Sequence, residues 1–247
     1  MTRTLAVIPA RLASSRFPNK PLKTILGIPM IAHCYYRAQL SENVDKLILA
    51  TPDKEIIEDI VKTAQKVPSW CNSQPWQLSI CSPKKTKEVA ADLMQSAEEG
   101  MHDPDIAFPE SYRGVYKERR SACGWQLYDA VGVAKGDREA SFKQMMENYR
   151  FFGAPHVAII TTPRELGTYG AVDCGAFIAA FTLAAQSLGV ASIPQAAVAG
   201  ISPIVRSVLS LSEDRNILCA ISFGYEDKSH PANQFRTERA SLSEVIE

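Results

Sequence analysis

Apolar residues in this chain fall into short runs and amphipathic stretches, and the order of these sets the first expectations. Residues 5–10 form an apolar run of strand length, and 11–20 a basic loop rich in Ser and Pro. Residues 29–40 read as a helix opened by Pro29, a position helices favour. Residues 47–50 are a second short strand. Strand, helix, strand is the outline of a βαβ-like crossover unit. The pattern changes after Pro52. Ile56, Ile57, Ile60, Val61 and Ala64 recur at helical spacing across 53–66. Pro68 stops that helix and biases Val67 away from helical angles. A polar loop follows, and then Leu78 and Ile80 mark a strand over 76–81.

Downstream, 86–100 reads as a helix ending at Gly100, as a C-terminus favours. Residues 108–124 are polar and aromatic, and suit either a cover over a site or a solvated connection. Helices are predicted over 125–134 and 140–152, with a turn and helix start across 132–139. A strand is predicted over 156–162. Residues 173–190 are apolar on nearly every face, and a helix of that kind is buried on all sides, at the centre of the fold or at a subunit interface. A Pro- and Ala-bearing turn spans 189–197. Residues 202–209 read as a capped helix, 217–225 as a strand, and 240–247 as an extended arm.

Composition narrows the function classes. The 247 residues suffice for one large domain or two unequal ones. Lys and Arg number 27 and so do Asp and Glu, which leaves no net charge to favour nucleic acid or an anionic membrane. Six cysteines (34, 71, 81, 123, 174 and 219) are scattered without a C-x-x-C pair. They point to free thiols in a reducing compartment, the cytoplasm, rather than to a disulfide frame or a metal site. No charged segment precedes an apolar one at the start, so no signal peptide is expected. The longest apolar run, 171–190, contains Asp173, Cys174, Gln186 and Ser187, and reads as a buried helix rather than a membrane span.

The candidate chemistry centres on Pro68-Ser69-Trp70-Cys71-Asn72-Ser73-Gln74-Pro75-Trp76. Ser, Asn and Gln on one loop can hold a polar heterocycle, with Trp76 as a wall. The same residues also suit a plain turn and N-cap cluster. The motif resembles the flavin-contacting segment of the FMN-dependent nitroreductases, and the resemblance runs over about 53–247. It implies an α+β fold, a mostly antiparallel sheet flanked by helices. It also implies FMN contacts from Ser69 and Asn72, with Gln74 in support. Asn148-Tyr149-Arg150-Phe151-Phe152 resembles a segment of nitrobenzoate-reducing members. Arg150 is its candidate cation for the flavin carbonyls, with a surface ion pair as the other reading. In the 189–197 turn the resemblance assigns backbone N–H groups of Ala196 and Ala197 to the flavin N5, flanked by Pro194 and Gln195. In the C-terminal segment it assigns Thr237 and Arg239 to the phosphate, where a guanidinium is well suited. The implied partner is a second copy of the chain, in a homodimer. The implied activity is NAD(P)H-dependent reduction of nitroaromatic or quinone-like acceptors by ping-pong hydride transfer, with NAD(P)H as co-substrate. The flavin carries that chemistry, so no protein acid, base or nucleophile is required.

One departure stands out. Nitroreductases usually open with an Arg-x-Ser-x-Arg element for the FMN phosphate, and none lies the usual short distance before Pro68. Residues 1–52 instead resemble the start of CMP-Kdo synthetase-type cytidylyltransferases, through Pro9, Ala10, Arg11, Ser14, Arg16, Pro18, Lys20, Pro21 and Leu22. Two Arg and a Lys on a turn suit phosphate oxygens, but the rest of that family's domain has no counterpart here. Two domains follow: an incomplete cytidylyltransferase-like segment, 1–52, and a nitroreductase-like FMN domain, 53–247. The alternatives to the flavoenzyme are a protein of that fold with weak or no FMN binding and, further off, a nucleotidyltransferase.

Overall fold

The computed structural model describes residues 4–9, 23–41, 44, 46–50 and 53–246. The basic loop expected at 11–20, with Arg11 and Arg16, lies outside the described residues. The expected elements before and after it in sequence are present: β1 (Leu5–Pro9) pairs in parallel with β4 (Lys46–Ala50), and α1 (Met30–Gln39) lies between them in sequence, with Pro29 at its N-cap. A two-residue hairpin not foreseen from the pattern joins β2 (Thr24–Ile25) to β3 (Ile28–Pro29). Its turn residues Leu26 and Gly27 both have positive φ, +51° and +80°, as a tight hairpin turn of this hand needs.

The larger part of the chain is built on four strands in the order β5-β6-β8-β7, every neighbouring pair antiparallel. These are β5 (Gln77–Cys81), β6 (His156–Pro163), β7 (Ala191–Gln195) and β8 (Arg215–Gly224). The α+β expectation holds, as do the strands over 76–81, 156–162 and 217–225. Successive side chains of β6 serve opposite faces. Ala158 and Ile160 join Ile60, Ala64, Phe177 and Phe181, while Val157 and Ile159 join Val89, Leu93, Val198 and Val205. Seven of the eight β6 residues are buried, because helices cover both faces of the sheet.

A bulge interrupts the β6–β8 ladder. Ile160 pairs with Cys219 and Thr161 with Ile217, so Leu218 is an extra residue. The consequence is a change of parity. Leu218 and Cys219 both belong to the α6 face, while Ile217 and Ala220 belong to the other. At the far end of β8, Gly224 lies against Pro155: a Cβ there would stand 2.6 Å from Pro155 Cδ.

On one face lie α2 (Asp53–Ala64) and α6 (Gly167–Ser187); α3 (Pro83–Glu98) and α7 (Ser202–Leu209) supply the other. The Ser82 hydroxyl caps α3, and Pro83 opens it. Helix α6 is expected at the centre of the fold or at a subunit interface, and the single chain meets only part of the first. Within one chain it buries a single face, through Gly170, Asp173, Cys174, Phe177, Phe181, Ala184 and Ala185, and leaves Val172 and Leu183 60% and 72% exposed. The segment Arg164–Ser187 is long and apolar enough by composition to cross a membrane, a test that the core helix of a soluble protein also passes.

Four boundaries differ from the sequence reading. Helix α4 (Gly114–Ala130) takes in much of the stretch read as polar connection, and it buries no residue. Helix α5 (Arg138–Met146) ends early, because Phe151 and Phe152 stand at φ +56° and +51° and close a 3-10 turn instead. The 189–197 turn contains the edge strand β7. The C-terminal arm carries a short helix, α8 (Leu242–Val245), with a Ser241–Glu244 capping box.

Candidate functional site

The loop between α2 and β5 is bent by three non-glycine residues with positive φ: Cys71 (+51°), Asn72 (+55°) and Gln74 (+47°). Such angles are rare outside glycine and mark a conformation held by its surroundings. Inside the loop, the Gln74 N–H donates to Ser69 Oγ at 2.9 Å and the Asn72 N–H to the Ser69 carbonyl at 2.9 Å. From outside, the carboxylate of Asp173 on α6 accepts the Trp70 N–H, 3.1 Å to each oxygen, and the Ser73 hydroxyl at 3.3 Å. At the loop's far end, Arg215 Nη2 donates to the Pro75 carbonyl at 2.7 Å and the Thr161 carbonyl at 2.9 Å. The Asn72 and Gln74 side chains are exposed, and their carboxamides have no hydrogen-bond partner among the described residues. Trp76 does not wall a site. It is 8% exposed and stacks on Phe177 in the core, ring centroids 5.1 Å apart.

The other expected residues lie elsewhere on the sheet. Strand β5 is one edge and β7 the other, three strand spacings or about 14 Å across. Pro194 and Gln195 end β7, and Ala196 and Ala197 begin a 3-10 turn, Ala196–Ile201. First residues of such a turn have no carbonyl partner within it. Gln195 departs from a ligand role for its side chain: it is 3% exposed, donates to the Asn148 carbonyl at 2.8 Å and accepts from the Ser222 hydroxyl. That bond joins the Asn148–Arg150 turn to the β7 edge. Arg150 itself is exposed and paired with Glu147 at 2.9 Å, the surface pair weighed as its other reading. Arg239 Nη1 folds back on the Thr237 carbonyl and hydroxyl at 2.9 and 2.6 Å, which leaves Nη2 and Nε unpaired among the described residues.

A cleft of about 650 Å³ opens beside none of these residues; Asp105, Arg164, Arg206 and Glu213 line it. Its buried charges are already matched. Asp105 binds Arg206 and Arg164 and accepts the Ile217 N–H at 2.8 Å, while Arg206 also donates to the Ser212 and Arg215 carbonyls. This is a brace between the 101–113 connection, α7 and β8. The buried thiols are equally committed to structure. Burial pushes the Cys219 pKa up to about 12 and that of Cys174 to about 11, which makes both inert as nucleophiles.

Comparison with known proteins gives two matches along the chain. The Nitroreductase family model matches residues 50–225, and a Cytidylyltransferase model matches 5–73, so the two overlap across α2 and the Ser69–Ser73 loop. The nitroreductase NfnB of Mycolicibacterium smegmatis is 34% identical over 193 residues, 78% of this chain and 82% of that protein. A 4-nitrobenzoate reductase of Nocardioides sp. is 28% identical over 241 residues, 94% and 96% of the two chains. The crystal structure of the FMN-dependent NfnB from Mycobacterium smegmatis in complex with NADPH superposes with a TM-score of 0.75 at 33% identity, over 78% of this chain and 87% of that one.

Proposed function

Since the chain belongs to the nitroreductase family, we propose that it is an FMN-dependent enzyme that uses NADPH to reduce nitroaromatic compounds. The observation that supports this reading is the strained 69–75 loop, with two carboxamides that have no partner among the described residues held out from the sheet edge. The residues fit FMN in kind. Ser69, Asn72 and Gln74 offer donors and acceptors for the polar edge of the flavin. The Ala196 and Ala197 N–H groups stand at the start of their 3-10 turn, where no carbonyl of that turn pairs them, and Arg239 has two donor nitrogens unused among the described residues for the phosphate.

FMN supplies, when bound, the hydride-accepting and hydride-donating chemistry. The chain's own part is to bind and orient. Ser69, Asn72 and Gln74 fix the ring system by hydrogen bonds, and Arg239 and Thr237 fix the phosphate. The Ala196 and Ala197 backbone N–H groups would donate to the flavin where hydride is transferred, and no side-chain substitution can remove them. Arg150 contributes positive charge from the turn that Gln195 ties to β7. NADPH binds and leaves before the acceptor takes the same place, in ping-pong order, and quinone-like acceptors serve as well as nitroaromatics.

The reading includes a homodimer. The 69–75 loop and the 196–197 turn stand on opposite sheet edges, and α6 exposes an apolar stripe through Val172, Ala176, Ala179 and Leu183. Pairing two copies through that stripe covers it and builds each FMN site from both chains. Residues 1–52 are an incomplete cytidylyltransferase-like appendage to the FMN domain, 53–247. The enzyme works in the cytoplasm, where six free thiols stay reduced.

Purified protein tests this directly. A visible spectrum with oxidised-flavin bands, and FMN-dependent oxidation of NADPH by 4-nitrobenzoate, are the expected results. A colourless protein that takes up no added FMN would defeat the reading and favour a non-enzymatic member of the fold. CTP-dependent pyrophosphate release would instead assign an activity to residues 1–52.

A further inference from the structure

Asp173 is the lone charged side chain of the 21-residue helix α6, and it is 9% exposed. It stands at the seventh residue, well past the first turn, so it neither caps the helix nor compensates its dipole. A carboxylate there is costly unless donors surround it. Among the described residues its donors all come from one place. Both oxygens lie 3.1 Å from the Trp70 N–H, and Oδ2 lies 3.3 Å from the Ser73 hydroxyl. Between these two anchor points sit Cys71 and Asn72, two of the loop's left-handed residues, and Gln74 follows. Conformations of that kind persist only where neighbouring contacts overdetermine them.

We infer that Asp173 is the positioning residue for the 69–75 loop, holding it in the strained shape that presents the Asn72 and Gln74 carboxamides to a ligand; the inference rests on the FMN reading. The carboxylate suits the task better than an amide. Trp70 presents one N–H to two acceptor oxygens, and an Asn at 173 would set its own NH2 against that N–H. Arg215 secures the other end through the Pro75 carbonyl, but among the described residues none of its hydrogen bonds goes to a left-handed residue. Beyond the loop's own bonds through Ser69 and Trp70, the hydrogen bonds that reach the stretch between Trp70 and Gln74 from outside it come, among the described residues, from α6.

Three measurements on the full chain test this: FMN titration by flavin fluorescence, amide hydrogen exchange on the FMN-free protein, and kcat at saturating FMN. For Asp173→Asn the FMN Kd rises on the order of tenfold. Exchange quickens at the amides of residues 70–74 while those of 177–185 keep their wild-type rates, and kcat returns to the wild-type value once FMN saturates. Ser73→Ala keeps the Trp70 contact and shows a smaller rise in Kd, about threefold. An Asp173→Asn Kd within about twofold of wild type overturns the inference. So do unchanged exchange at 70–74 and exchange that quickens along the whole of α6, the sign of a general loss of packing. A wild-type chain that binds no FMN overturns the cofactor reading instead, and the exchange rates then decide alone whether Asp173 holds the loop.

Discussion

Helix α1 and helix α6 both belong to units of helix and strand, and they differ in what they bury. Helix α1, ten residues long, buries none of them, and around it Ile25, Leu26, Tyr36 and Leu40 are 50%, 95%, 49% and 82% exposed. Helix α6 buries three aromatic and thiol side chains, Phe177, Phe181 and Cys174, against a sheet that is covered on its other face too. Parallel strands such as β1 and β4 ordinarily lie between two layers of helices. The first 50 residues carry only one helix for that purpose among the described residues. Burial is what makes a helix part of a fold rather than an attachment to it, and by this measure the stability of the chain resides in α2, α6 and the four-stranded sheet.

Substitution on α6 gives the largest expected effect. Phe177→Ala removes a fully buried ring and its stack with Trp76, and should lower the unfolding free energy by about 3–5 kcal/mol in urea melts. A loss below about 1 kcal/mol would break the comparison at its stronger end. Next comes ligand affinity. Arg239→Ala should weaken FMN binding about tenfold, a charged contact to phosphate being lost, and Arg11→Ala should leave it nearly unchanged. A reversed order would move the phosphate site into the N-terminal segment and erase the contrast.

The alkaline limb is the third test. Burial raises the Cys219 pKa from 9.0 to about 12 and the Cys174 pKa to about 11. The folded state holds those protons more tightly than the unfolded chain does. Their contribution is therefore full below pH 9 and declines as the pH rises toward 11 and 12. Urea midpoints should fall over that window, less so in Cys219→Ala. The smallest effect is expected from Leu40→Ala, within about 0.5 kcal/mol of wild type by the same melts; a larger loss would mean that the α1 unit has a core after all.

Much of the fold is legible in the sequence wherever burial imposes a period. Helix α2, with Ile60 and Ala64 fully buried, follows from its 3.6-residue pattern, and β6 and β8 follow from unbroken apolar runs. The first part of α4, residues 114–124, is hidden for the same physical reason, since a helix with no buried residue has no apolar stripe to read, and only its end falls within the helix read over 125–134. Strand β7 is obscured by Pro194, which a sheet tolerates at its edge. The capping box at Ser241 and Glu244 is a signal present in the sequence but read there as an extended arm.

In the site, the 69–75 loop stands out by its polar residues, but their roles do not. Trp76 looks like a wall of the site and packs in the core, and the Gln195 side chain beside the 196–197 turn is buried, because residue type says nothing of which side of a strand or loop faces inward. Asp173 carried a signal that composition alone would treat as noise: one carboxylate in the most apolar helix of the chain.

The contact between Gly224 and Pro155 bears on how this sequence can drift. With 2.6 Å between a Cβ at 224 and the proline ring, position 224 is not free while Pro155 stays as it is. Replacing Gly224 with even an alanine drives backbone-anchored atoms apart at the end of β8. A change at Pro155 must therefore come first, and only then can 224 accept a side chain. Among descendants of this chain the two sites should change in that order, so that lineages with a side chain at 224 are drawn from those that have already lost the ring at 155.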